Sequence, residues 1–191
     1  MRRGLLLASA LLLAACGGAG GTPYERGLAA FQRGDIRTAR VEFMNALQAD
    51  PDNRAARLMQ ARVQLALGDG IAAESEIMRA RQSGVPIDDT RHLLAHARLL
   101  QEDPRGALAE VEAVPAAHEA YASRIRGRAL MALGDMAAAV AQLDRAVALA
   151  PGDSAAWTDL ARLRRNAGDV AGALRAVDRA VAARPRDVEA L

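Results

Sequence analysis

Asp89, His92 and His96 form the one cluster of ligand-type side chains in this chain, spaced three and four residues apart. On a helix that spacing sets all three on one face. Two histidines four residues apart can reach one metal ion, but a closed site needs further ligands, and no nearby motif supplies them. The pair is therefore expected to be solvated or partner-facing, with no metal bound. His118, the remaining histidine, stands alone after Pro115 and reads as structural. No glycine-rich phosphate loop and no supported serine-histidine-acid constellation is present. Cys16 is the single cysteine, which rules out an internal disulfide and a cysteine-based metal framework. The expectation is a non-catalytic protein without a cofactor.

All 25 basic residues are arginine, against 23 acidic ones. Arg2 and Arg3 sit in a segment read below as cleaved, so the mature chain is formally neutral. Bulk charge therefore gives a nucleic-acid role no support. Any cationic surface must come from local arrangement.

That arrangement depends on an internal repeat. Gly-Asp recurs at Gly34-Asp35, Gly68-Asp69, Gly134-Asp135 and Gly168-Asp169, with Glu102-Asp103 filling the gap, at intervals of 34, 34, 32 and 34 residues. Glycine can take the left-handed conformation that ends one helix, and aspartate can cap the next. Small residues recur at fixed offsets, among them Gly27, Ala61, Ala95, Gly127 and Ala161 before each pair and Ala39, Ala73, Ala107, Ala139 and Ala173 after it. They permit close helix crossings. Pro51, Pro86, Pro151 and Pro185 close most units. The period predicts helix pairs over 22–33 and 36–49, 54–67 and 70–83, 88–101 and 104–114, 117–133 and 136–149, and 154–167 and 170–183. No segment has strand periodicity. The third unit lacks its glycine and Pro115 cuts its second helix short, which puts the stacking of units three and four in question.

The pattern resembles the tetratricopeptide repeat (TPR), over residues 22–187 in units of 22–53, 54–87, 88–119, 120–153 and 154–187. The last unit, with Trp157, Leu160, Gly168-Asp169, Ala173, Ala180 and Pro185, comes nearest the family pattern. The resemblance implies an all-α, right-handed superhelical solenoid of about five repeats whose first helices line a concave surface. The matching groove positions include Tyr24, Leu28, Phe31, Leu58 and Leu65, then Arg62, His92, His96, Arg124, Arg128, Arg162 and Arg165. Guanidinium groups pair bidentately with carboxylates. The groove is thus expected to bind an acidic peptide, a C-terminal carboxylate or an acidic glycan, unless these arginines only solvate an exposed face. Residues 188–191 read as the start of a further first helix. Without it, Leu174, Val177 and Val181 would have partly exposed apolar flanks.

The N-terminus is separate. Arg2 and Arg3 precede an apolar run, Leu5 to Ala15, too short for a bilayer core of about 30 Å but suited to a secretory signal peptide over 1–15. Leu13-Ala14-Ala15-Cys16 resembles the bacterial lipobox, which implies a lipidated Cys16 on a short 16–21 tether. Since Gly17 is not the aspartate of many inner-membrane lipoproteins, the expected location is the periplasmic face of the outer membrane of a Gram-negative bacterium. Gly68-Asp69-Gly70, Ala72-Ala73-Glu74 and Gly84-Val85-Pro86 further resemble the TPR lipoproteins of the exosortase/PEP-CTERM system. That resemblance implies a scaffold in exopolysaccharide synthesis or export. The other reading is a pilotin-like or outer-membrane assembly factor.

Overall fold

Every helix start that the Gly-Asp spacing predicts is capped by its own aspartate. The computed structural model describes residues 21–183. Asp35, Asp69, Asp103, Asp135 and Asp169 accept from the backbone N–H of Thr38, Ala72, Gly106, Ala138 and Gly172 at 2.8–3.1 Å. Each thereby satisfies a free donor of a helix first turn. The helices are α1 (Pro23–Gln32), α2 (Ile36–Ala49), α3 (Arg54–Ala66), α4 (Gly70–Gln82), α5 (Arg91–Leu100), α6 (Pro104–Glu110), α7 (Glu119–Ala132), α8 (Met136–Leu149), α9 (Ser154–Asn166) and α10 (Val170–Ala182). No strand occurs among the described residues, and no described helix is long and apolar enough to cross a membrane. Cys16 and the stretch 188–191 lie outside the described residues.

The turn between first and second helix keeps one geometry even where glycine is lost. Gly34, Gly68, Gly134 and Gly168 have φ of 79–87°, and Glu102 holds the same left-handed position at φ 61°. A side chain there costs about 1–2 kcal/mol, partly offset because glycine is freer in the unfolded chain. Glu102→Gly is accordingly expected to raise stability by about 0.5–1 kcal/mol in urea unfolding. An unchanged or lowered midpoint would show that Glu102 makes compensating contacts.

The third unit departs most from expectation. α5 begins at Arg91, three residues later than predicted, because Ile87–Thr90 forms a turn in which the Thr90 N–H donates to the Ile87 carbonyl. α6 ends at Glu110 instead of 114. Pro115 disfavours a helical conformation in the residue before it, and the Arg126 guanidinium donates to the Val111 carbonyl, capping the shortened end. A 3₁₀ turn, Ala116–His118, then leads into α7. Stacking survives the shortening. Ala95, Ala107, Val111, Ala122, Ile125 and Ala129 form one continuous core between units three and four.

Within a unit, small residues set the helix spacing. A Cβ on Gly127 would lie 2.6 Å from Cγ of Leu143, and one on Gly27 2.8 Å from the Phe43 ring, so larger side chains would force the pair apart. Between units, each first helix covers the second helix before it. Phe43, Ile77 and Leu143 on α2, α4 and α8 and Val111 just after α6 occupy one register position, and all are 0% exposed. Val177 holds that position on α10 and is 46% exposed, with Val170, Leu174 and Val181 also exposed.

Candidate functional site

The first helices contact one another in sequence, α1 with α3, α3 with α5, α5 with α7 and α7 with α9, and so form the inner layer of a curved array. The curvature frames an open cavity of about 1370 Å³. Its wall runs from Phe31 at the end of α1, through Arg62, His92, His96, Tyr121 and Arg124, to Ala183 after α10. Residues on six helices, α1, α2, α3, α5, α7 and α9, thus face one space.

On this wall His96 and Tyr121 form a chain of three side chains with Arg128. Arg128 lies 3.0 Å from Nε2 of His96, and Nδ1 of His96 lies 2.6 Å from the Tyr121 hydroxyl. Guanidinium has donors only, so Nε2 must accept. Burial, with the nearby charges of Arg128 and Arg124, lowers the His96 pKa to about 3, so the ring is neutral. Its one proton therefore sits on Nδ1 and is donated to the Tyr121 oxygen. Burial also raises the tyrosine pKa, so the hydroxyl keeps its own proton.

His92 is likewise neutral, its pKa lowered to about 3 by burial and by the nearby His118 and Arg62. It stacks on His118 with ring centres 3.9 Å apart. Its Nδ1 is buried without a hydrogen-bond partner among the described residues. With exposures of 3% and 8%, His92 and His96 are not solvated, which removes one of the two alternatives, solvated or partner-facing, that the spacing left open. Both rings are wall elements, held by stacking and hydrogen bonding. No group of three or more His, Cys, Asp or Glu among the described residues is arranged to hold a metal.

Arg124 also differs from expectation. Its Nε donates to Asp159 at 2.8 Å, and Asp153 lies 3.9 Å away. Burial alone would lower the Arg124 pKa, but the charge and hydrogen bond of Asp159 outweigh it and the net shift is upward. Arg124 is thus the cation of an internal ion pair, and reversing its charge would set two acids together. Arg62, Arg162 and Arg165 are exposed and without an ionic or hydrogen-bonding partner among the described residues. Arg128 is half-buried with a neutral partner. Arg128 and Arg162 line a second cavity of about 640 Å³ with Thr158, Asp159, Val177 and Val181. Arg165 lines neither cavity.

Sequence reasoning did not single out Tyr121 or Asp159. Asp159 had a readable signal. It stands in the register position held by Met59, Leu93 and Ile125, all buried, and an acid at a core position requires a partner. Tyr121 lies one turn before Arg124 on the inner face of α7, a signal visible only as one of two tyrosines in the chain.

A family model described as Tetratricopeptide repeat matches residues 30–84 and 130–191, and a second of the same description matches 92–154. Comparison with curated protein sequences found no match. Among solved structures, TTC0263, a thermophilic TPR protein in Thermus thermophilus, is 22% identical with a TM-score of 0.68, over 87% of this chain and 92% of that one. PilW, described as a widely conserved type IV pilus biogenesis factor, is 20% identical with a TM-score of 0.64, over 84% and 76%. YrrB, described as a TPR protein with an unusual peptide-binding site, is 17% identical with a TM-score of 0.50, over 86% of each chain. At these identities the likeness is one of fold.

Proposed function

We propose, from the premise that this chain belongs to the tetratricopeptide-repeat family, that it is a non-catalytic scaffold whose concave surface holds an acidic segment of a protein partner. The observation carrying this reading is the inner row of arginines. Arg62 and Arg162 are exposed without acidic partners among the described residues, whereas Arg128 hydrogen-bonds a neutral ring and feels the charge of Asp159. Phe31 and Leu65 add apolar wall beside Arg62. An extended peptide with spaced carboxylates matches such a surface through bidentate pairing.

Signal peptide, lipobox-like Cys16 and tether support a lipid-anchored scaffold in the periplasm. The motifs shared with PEP-CTERM-system lipoproteins favour exopolysaccharide synthesis or export as its setting. A second reading, an assembly factor of the pilotin kind, is favoured by the likeness in fold to PilW, the type IV pilus biogenesis factor.

Partners captured by crosslinking in cells should be lost from the Arg62→Glu/Arg162→Glu variant with its helical circular dichroism intact, and added salt should weaken capture of the wild type. Unchanged capture would mean that the arginines only solvate the face, and capture of an acidic polysaccharide instead of protein would reassign the partner. Cys16→Ser should shift the protein from the membrane fraction to a soluble or unprocessed form. Membrane retention by that variant would remove the anchor from the reading.

A further inference from the structure

We propose that Tyr121 and Arg62 together form the anchor for one carboxylate side chain of the acidic peptide, with His96 and Arg128 positioning the tyrosine hydroxyl. This rests on the reading of the groove as an acidic-peptide site and names where in it one carboxylate is held. The neighbours of the hydroxyl leave its proton unused. Arg128 can only donate, so it occupies the Nε2 lone pair of His96. The Nδ1 proton is then spent on the tyrosine oxygen at 2.6 Å. The tyrosine proton cannot return to His96 and has no other acceptor among the described residues. The hydroxyl of a residue lining the cavity is left with an unused donor, a free-energy cost that a ligand acceptor would remove.

The surrounding charge selects the acceptor. Arg62 lines the same cavity, and its charge is felt at both His92 and Tyr121. Arg124 lies over the tyrosine ring at 5.8 Å, but Asp159 and Asp153 offset its charge. Arg128 shares the charge of Asp159, so Arg62 supplies the uncompensated positive charge, and an anionic oxygen fits better than a neutral carbonyl. Tyr121 donates one charge-assisted hydrogen bond and Arg62 the ionic contact.

The test uses fluorescein-labelled hexaglutamate, with hexaglutamine as control. Wild type should bind hexaglutamate and not hexaglutamine. Tyr121→Phe, which keeps the ring and removes the hydroxyl, should weaken hexaglutamate binding about tenfold or more. Loss of binding in Arg62→Glu/Arg162→Glu with full binding in Tyr121→Phe would leave the groove reading standing and overturn the anchor. No binding of hexaglutamate by wild type would overturn both. Tighter, Tyr121-dependent binding of oligogalacturonate would move the anchor to an acidic glycan and overturn the peptide assignment. If Tyr121→Phe fails to fold, ring resonances of the unmodified protein decide. Hexaglutamate should then shift Tyr121 and leave Tyr24 in place, and a titration that leaves Tyr121 unmoved counts against the proposal.

Discussion

Between pH 6.5 and 4.5 the protein is expected to lose about 5 kcal/mol of folding stability, enough to unfold a domain of ordinary stability. The cause is His92 and His96, each with a pKa lowered from 6.5 to about 3, first by burial and then by neighbouring positive charge. Below pH 6.5 the unfolded chain takes up protons that the folded chain refuses. The unfolded state then binds more protons, so stability rises with pH across the window from about 3 to 6.5 and is fully present above it. Each histidine contributes a slope of about 1.4 kcal/mol per pH unit. The measurement is the urea midpoint as a function of pH for wild type, His92→Leu and His96→Gln. Each variant should show about half the wild-type slope between pH 6.5 and 4.5. Equal slopes in all three would mean that the histidines titrate normally in the folded protein.

Truncating Arg124 should be nearly as damaging as acid. Asp159 is 6% exposed, and its partner comes from a helix two elements earlier. Removing one member of a buried ion pair costs about 3–5 kcal/mol, because the other charge loses its hydrogen-bonded counter-ion, here with Arg128 left as a more distant one. Arg124→Ala is expected in that range. Asp159→Leu restores the apolar kind of residue that the register position carries in units two to four, so the double variant should recover most of the loss. Arg62→Ala, on an exposed side chain, should stay within about 0.5 kcal/mol of wild type. A double-mutant cycle in urea reports the coupling, and an Arg124→Ala loss below about 1 kcal/mol would show the pair to be solvated. The same result bears on binding studies, since loss of binding in an Arg124 variant would confound a damaged wall with a lost contact.

The course of the chain was legible because its determinants are local. A residue with positive φ and an aspartate cap act within about five residues, so the Gly-Asp spacing alone placed most helix boundaries to within a residue or two. It failed around unit three for a local and a non-local reason. The turn at Ile87–Thr90 delays α5, and the α6 terminus rests on Arg126, fifteen residues from the carbonyl it caps. That the shortened unit still stacks could not be read from Pro115, because the core there is built by side chains from α5, α6 and α7 together.

By itself the sequence determined the repeat and the helix order, since a helix of fixed pitch converts spacing into a face, while the inner-face positions came from the resemblance to the tetratricopeptide repeat. Only the tertiary structure decided what each inner-face residue meets. His96 reaches Tyr121 and Arg128 across 25 and 32 residues, and Arg124 reaches Asp159 across 35. Each contact joins consecutive first helices, so it depends on the rotation and rise between stacked units, which periodicity does not encode. Seven residues looked equivalent on that face. Stacking turned two into buried neutral rings and one into half of an ion pair, set Arg128 to orient a ring, and left Arg62, Arg162 and Arg165 as uncompensated charges, because pairing is settled by which side chains neighbouring units bring within hydrogen-bonding distance.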